Sequence, residues 1–326
     1  MNTISNSGRG LWEIINRAGI GLALLGLVIF FSVTTEHFLT PNNLTNILTQ
    51  ITINLILGVG MTFVILIGGI DLSVGSIMAF AAVIAGKAMT LPGLGPSEAI
   101  LLATLAGLLA GVVCGLLNGF LSAWWSIPSF IITLGMLNIA RGAALQVTNA
   151  QTLYAFPKEF SEFGSSLIAG VPVVFILALL LVGIAWFILN HTVLGRMIYG
   201  IGNNEEAVRL AGHSVFRYKL IAFTLCGLTA GIAAIVYMAR LNIASPIAGI
   251  GFELNAIAAV IIGGTSLAGG RGSVIGTLMG AFIIGVLANG LILLGLSDFM
   301  RQMITGVVLI MAVLLDQLRA KYGRSG

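Results

Sequence analysis

An all-α, polytopic membrane helical bundle is the fold class this sequence predicts, and three observations carry the prediction. Charged residues are 8% of the 326 and hydrophobic residues 58%, whereas ordinary soluble domains carry about a quarter charged residues. Apolar runs of about twenty residues, the length that crosses a hydrocarbon core roughly 30 Å thick, recur from Ala18 to Asp316. With 43 glycines and no strict alternation, the pattern suits packed helices rather than a barrel, whose strands alternate lipid-facing and lumen-facing residues.

Taken in order, the runs predict spans near 18–35, 52–68, 72–90, 99–121, 128–148, 171–189, 219–240, 254–264, 273–294 and 300–316. That gives about ten transmembrane helices in a single domain covering 1–326, with the eighth span short and poorly bounded. The first run is followed by Thr34-Thr35-Glu36-His37 rather than by a small-residue cleavage site, so it is expected to stay as a helix. All seven prolines, Pro41, Pro92, Pro96, Pro128, Pro157, Pro172 and Pro246, fall at or near proposed ends, where a missing N–H costs least.

An even number of crossings puts both termini on one side, and basic residues choose the side. Arg9, Arg17, Arg196, Arg209, Arg217, Lys219, Arg271, Arg319, Lys321 and Arg324 fall on one face; Lys87, Lys158 and Arg240 fall on the other, with Arg141 and Arg301 inside spans near it. The asymmetry predicts cytoplasmic termini. Trp12, Trp124, Trp125 and Trp186 map to the same boundary, where aromatic anchors belong.

Glycines at 107, 111, 115 and 119 repeat every four residues along the fourth span. They line one helix face and invite a neighbouring backbone close; Gly227/Gly231 and Gly276/Gly280 repeat the spacing more weakly. A static packing seam and a surface on which helices slide are both consistent with Gly107, Gly111, Gly115 and Gly119.

A second echo is sharper. Gly68-Gly69-Ile70-Asp71-Leu72-Ser73-Val74-Gly75 and Gly263-Gly264-Thr265-Ser266-Leu267-Ala268-Gly269-Gly270 share G-G-x-x-L-x-x-G. Such a pair breaks a helix and frees backbone polar groups, which lipid forbids unless protein or a water-filled cavity satisfies them; transporters place such breaks beside the substrate path. The alternative is two tight turns with Asp71 and Ser266 as N-caps of the following helices. Asp71 and Arg141 are the charged side chains placed at depth. Asn54, Gly69, Asp71, Asn118, Asn138, Asn255, Gly264, Ser266 and Asn289 are candidates for a translocation path, the amides offering hydrogen bonds to hydroxyls; interhelical bonding is the plainer role for each.

Several chemistries are unsupported. His37, His191 and His213 are isolated, without metal-ligand spacing. The Gly264–Arg271 stretch lacks the Lys-Ser/Thr of a phosphate loop, and Ala268 spoils a nucleophile elbow. Neither a metal nor a cofactor is expected, nor enzymatic activity. Cys114 and Cys226 lie inside apolar spans and read as small core residues. The net charge of +4 is spread over loops with no basic stripe, so nucleic acid is not a partner.

The remaining segment, 190–219, holds the chain's one long internal polar run. Asn203 or Asn204 is suited to cap a short helix, Glu205 and Glu206 occupy its first turn, and Gly212 ends it. Ala207, Val208, Leu210 and Ala211 form an apolar patch beside Arg209. Small alanines make a poor membrane face and a good knob for a soluble partner, so the segment reads as a cytoplasmic docking loop.

These motifs together resemble the permease subunits of bacterial ABC-type monosaccharide importers, the ribose-type family related to branched-chain amino acid permeases. The residues that carry the resemblance are Thr40-Pro41-Asn42-Asn43-Leu44, Gly60-Met61-Thr62, Gly69 to Gly75, Thr192-Val193-Leu194-Gly195-Arg196, Gly202-Asn203-Asn204-Glu205-Glu206-Ala207, and Ala256-Ile257-Ala258-Ala259-Val260 running into Gly263 to Gly270. The resemblance implies an inner-membrane homodimer of permeases, ABC ATPase subunits at the cytoplasmic face and a periplasmic sugar-binding protein. It also implies that Asn204, Glu205, Glu206, Ala207, Arg209, Ala211 and Gly212 form a coupling helix seated on the ATPase. Import of a monosaccharide or polyol by alternating access is then expected. A secondary transporter driven by an ion gradient is the rival, and it would want buried carboxylates.

Overall fold

The computed structural model describes the backbone of residues 7–322 and the side chains of residues 19–311, 313 and 314. Arg9, Trp12, Arg17, Arg319, Lys321 and Arg324, used above for orientation, lie outside the described side chains. Twelve helices are present among the described residues: α1 (Ser7–Thr34), α2 (Pro41–Leu66), α3 (Val74–Met89), α4 (Pro96–Trp124), α5 (Ser129–Thr148), α6 (Lys158–Ser165), α7 (Val173–His191), α8 (Val193–Leu210), α9 (Val215–Leu241), α10 (Phe252–Ile262), α11 (Val274–Leu293) and α12 (Asp298–Tyr322). Four two-residue strands accompany them: β1 (Leu153–Tyr154), β2 (Leu167–Ile168), β3 (Val171–Pro172) and β4 (Ile243–Ala244). β1 pairs antiparallel with β4, and β2 with β3.

The long helices zigzag between two ends of one bundle. One end carries α6 and both strand pairs; the other carries the outer part of α8 and the Gly-Gly segments. Helices α2, α4, α5, α7, α9 and α11 are long and apolar enough to cross a membrane, whereas the apolar stretches of α1 (Gly19–Thr34), α3 and α10 are shorter.

Local chemistry sets the boundaries. Thr40 accepts the Asn43 amide and Pro41 supplies the first turn of α2, the pairing of cap and N-terminal proline that helix starts favour. α2 is the central element and packs on α7, α9, α10 and α11. Two polar links tie it to the antiparallel α11. Asn43 and Asn289 exchange amide hydrogen bonds of 2.9 Å in both directions, and the Thr62 and Thr277 hydroxyls meet at 2.7 Å.

The most extensive helix contact is between α4 and α9, and Gly107, Gly111, Gly115 and Gly119 are all buried in α4. A Cβ on Gly111 would stand 2.9 Å from the Gly231 nitrogen, on Gly115 3.0 Å from the Gly227 Cα, and on Gly119 3.0 Å from the Leu220 Cα. Gly107 instead faces Ile235 and Ala85 side chains. Backbone meets backbone over the lower three positions, an approach only glycine permits.

Three features depart from the sequence reading. The eighth span, expected at 254–264, is the short helix α10 from Phe252 to Ile262, but the stretch leading into it was not foreseen: residues 245–251 are non-helical, and Gly249 and Gly251 take φ of 70° and 83°. Pro246 and these glycines account for the break. The 190–219 segment is largely helical rather than a loop, with α8 following α7 after Thr192. Finally, α6 was not legible, because it buries only Phe160 and Gly164.

Candidate functional site: a kinked helix joined to two glycine turns

α8 is two helices merged across a break. Thr192 caps its start by accepting the Gly195 amide at 3.3 Å, and Ile198 and Ile201 bury its inner half. At Asn204 the backbone leaves the helical region (φ −161°, ψ 97°). The freed Asn204 side chain accepts the Ala207 amide at 3.0 Å, so Asn204 caps a second, outer stub. Glu205 and Glu206 then sit in the first turn, where the helix dipole favours anions.

The stub ends at Gly212, whose φ is +82°. Gly212 N–H donates to Arg209 O and His213 N–H to Val208 O, at 3.0 and 3.2 Å, the paired closing bonds typical of a left-handed glycine cap. Val208 turns inward toward Gly200, where a Cβ would stand 3.0 Å from its Cγ2. Ala207, Leu210 and Ala211 are exposed, Leu210 at 79%. Glu206 pairs with Arg209 within the stub, and Glu205 reaches Lys219 of α9 at 2.7 Å. The result is a short, doubly capped stub projecting a small apolar face from the bundle end.

Behind the stub, the two Gly-Gly segments meet. Gly270 N–H donates to Leu66 O at 2.9 Å. A Cβ on Gly269 would stand 2.8 Å from the Gly68 nitrogen and 3.0 Å from the Gly202 Cα. A Cβ on Gly202 would overlap both Leu66 O and the Gly270 nitrogen. Asn203 Nδ2 donates to Tyr199 O at 2.9 Å and Gly270 O at 3.2 Å, and the Tyr199 hydroxyl donates to Gly272 O at 3.0 Å. Three segments far apart in sequence thus share one junction of backbone on backbone, flanked by the Asn203 and Tyr199 side chains. Asn203 entered the sequence reading as a candidate cap rather than for this contact, and Tyr199 not at all, since their partners here are backbone carbonyls.

The first glycine turn is enclosed and satisfied by neighbours. Asp71 Oδ1 accepts Ser73 N–H at 2.8 Å and Ser73 Oγ–H at 2.5 Å. Asn118 Nδ2 donates to Ser73 Oγ at 2.9 Å and Asp71 Oδ2 at 3.4 Å. From α5, Ser129 Oγ accepts Ile70 N–H at 3.0 Å, while Thr133 Oγ1 accepts Leu72 N–H at 3.1 Å and donates to Ile70 O at 3.2 Å. Asp71, Ser73, Asn118 and Thr133 are fully buried. Asn118 stands six residues before the end of α4 at Trp124, about 9 Å inside at about 1.5 Å per residue. The turn is therefore broken backbone inside the bundle, satisfied by protein.

Asp71 and Ser266 do not cap the following helices. Ser73 occupies the N-cap of α3, and Ser273 caps α11 by accepting the Gly276 amide at 3.0 Å. Ser266 accepts the Ala268 amide at 3.3 Å in a local turn. Each cap lies closer to its helix than predicted because the glycine segments continue as irregular backbone.

Arg141, expected at depth, is held there by backbone carbonyls. Its Nη1 donates to Pro246 O and Ala248 O, both at 2.7 Å, satisfying carbonyls left free by the non-helical stretch 245–251 that leads into α10. The sequence signal was the Pro246, Gly249, Gly251 spacing.

The path candidates separate into groups. Gly69, Asp71 and Asn118 lie at the first turn; Gly264 and Ser266 lie on the adjoining one. Asn289 is buried against Asn43 at the α6 end. Asn54 is half-buried in α2, Asn255 half-buried in α10, and Asn138 exposed on α5 with its amide on Leu134 O at 3.0 Å. They do not converge on one cavity. Among the described residues, no group of three His, Cys, Asp or Glu is placed to hold a metal, and both cysteines are free and buried.

The sequence family described as "Branched-chain amino acid transport system / permease component" matches residues 43–313. Among curated proteins, the chain is 44% identical to the ribose import permease protein RbsC of Escherichia coli (strain K12), over 90% of this chain and 92% of that one. It is 40% identical to the D-allose transport system permease protein AlsC of the same organism, over 90% and 89%. The L-arabinose ABC transporter permease protein AraH of Azospirillum brasilense is 35% identical over 97% and 92%. No solved structure matches the chain.

Proposed function

We propose a function from one premise: the chain belongs to the family of branched-chain amino acid transport system permease components. Its relatives are named for ribose, D-allose and L-arabinose, so we assign this chain to ATP-driven import of a monosaccharide or related polyol. It is the membrane subunit of a bacterial inner-membrane ABC importer, with about ten crossings and both termini cytoplasmic. Its partners are a second permease protomer, ABC ATPase subunits and a periplasmic sugar-binding protein.

The observation that carries this reading is the junction of Gly202, Leu66 and Gly270 behind the exposed stub of α8. In our reading the residues Asn204, Glu205, Glu206, Ala207, Arg209, Ala211 and Gly212 seat on the ATPase. When the ATPases close on ATP, the stub moves and carries the junction with it. The ends of α2 and α10 follow as rigid bodies, since packed interfaces switch between arrangements rather than deform smoothly. The buried seam of Gly107, Gly111, Gly115 and Gly119 keeps α4 and α9 together as one unit in that motion. Uptake itself needs no covalent chemistry; the unwound stretch 245–251 held by Arg141, with half-buried Asn255 beside it, is the part of the path that broken transporter helices make polar.

The ion-gradient rival finds less support. Its best candidate group, Asp71, is shut in by Ser73 and Asn118. The test is reconstitution of the purified chain in vesicles with its ATPase and binding protein. Sugar uptake is expected to need ATP and to persist with ion gradients collapsed; uptake on an ion gradient without the ATPase would reverse the assignment.

A further inference from the structure

We propose that the cleft between α4, α7 and α9 under α6 is a binding site for one phospholipid, with Glu159 selecting an amine-bearing headgroup. The cleft has a volume of about 480 Å³. Ile100, Thr104 and Leu108 of α4 form one wall at helical spacing, Ile232 and Val236 of α9 form the floor, and Leu177 of α7 faces them. Phe160 and Phe163 of α6 close it at the bundle end, and Glu159 stands at that rim.

Three observations choose the occupant. The walls offer no free polar group: the Thr104 hydroxyl is spent on Ile100 O at 2.8 Å, so a sugar has nothing to bind and a hydrocarbon chain fits. The cleft lies between the exposed aliphatic faces of α4 (Leu101, Leu105, Leu109) and α7 (Ile176, Leu180), which in a membrane-spanning chain meet lipid. Charge at the mouth then sets the headgroup. Lys158 pairs with Glu162 at 3.0 Å, and Glu159 has no ion pair among the described residues, leaving one carboxylate at headgroup level beside the chain entrance. A primary ammonium satisfies it; an anionic glycerol headgroup is repelled. α6 lies where an interfacial amphipathic helix does, with Phe160 buried against the bundle and Glu159 turned to the rim.

The experiment uses the full chain carrying Phe163→Trp, an indole at a position 38% exposed in the wild type. It is reconstituted in phosphatidylcholine with increasing brominated phosphatidylethanolamine or brominated phosphatidylglycerol, and quenching of the parent chain is subtracted. Half-maximal quenching of the added indole is expected at a several-fold lower mole fraction of the ethanolamine lipid. Glu159→Gln should abolish that preference and Glu159→Lys invert it. Native mass spectrometry of the parent chain and its Glu159→Gln variant reads the same preference without the tryptophan. Equal dependence on the two lipids, or a preference untouched by Glu159→Gln, would reduce the cleft to ordinary lipid-facing surface and overturn the proposal.

Discussion

Gly270 and Leu66 are joined by a backbone hydrogen bond of 2.9 Å, and this bond connects two glycine motifs nearly two hundred residues apart. Leu66 ends α2, and Gly270 follows α10 by way of the second Gly-Gly segment. Gly202 of α8 lies against both partners. The exposed stub is therefore attached to the helical core through backbone, where no side chain intervenes to absorb displacement.

Gly202→Val tests that attachment. A Cβ there overlaps Leu66 O and the Gly270 nitrogen, so the junction must open. We expect membrane insertion to persist while stimulation of ATP hydrolysis by the sugar-loaded binding protein falls at least tenfold. Asn203→Ala removes the part-buried hydrogen bond to Gly270 O together with the exposed one to Tyr199 O, a loss of about 1 kcal/mol, and should weaken coupling only partially. ATPase stimulation in proteoliposomes separates the two.

Glu205→Lys replaces the partner of Lys219 with a like charge. Half-exposed pairs of this kind contribute about 0–1 kcal/mol, so thermal unfolding should shift little. Co-purification of the ATPase should nevertheless be lost, because the first turn of the stub is altered on its exposed face. A large fall in melting temperature with the complex intact would contradict this.

Gly115→Leu forces side-chain volume into the α4–α9 seam, where the Gly227 backbone is already in contact. Overpacking costs about 1–3 kcal/mol or more, and folded yield in membranes should drop severalfold. Gly183→Leu on α7 is the control, since nothing lies within 4 Å of a Cβ there; its yield should match the parent. The readout is fluorescence-detected size-exclusion chromatography.

Asp71→Asn retains an acceptor for the Ser73 amide, whereas Asp71→Ala strands buried donors on Ser73 and Asn118. Stranding such groups costs about 1–3 kcal/mol. The alanine variant should unfold at clearly lower temperature. The asparagine variant should keep ATP-driven uptake within a few-fold of the parent, a result an ion-coupled carboxylate would not give.

Much of this was legible from the residues, because membrane insertion writes helices as long apolar runs. Each of the ten predicted spans has a helix over it; a cap at Asn203 or Asn204 and a stop at Gly212 were expected from residue chemistry, and the structure uses Asn204. What stayed hidden depends on tertiary contact. α6 is mostly exposed and too short for a periodic signal. The partners of Arg141 could not be read, because Pro246 O and Ala248 O are carbonyls a hundred residues on. The repeated glycine motif was visible, but that its two copies touch is set by the packing of α2, α10 and α11.

The most direct measurement is labelling of Leu210→Cys by a membrane-impermeant maleimide. Leu210 is 79% exposed on the stub, and the native Cys114 and Cys226 are buried, so the new thiol reports alone. Labelling in inverted vesicles but not in intact spheroplasts, with protection when the ATPase is bound, is the predicted result. Labelling from outside intact spheroplasts would place the stub beyond reach of any cytoplasmic ATPase and contradict the account.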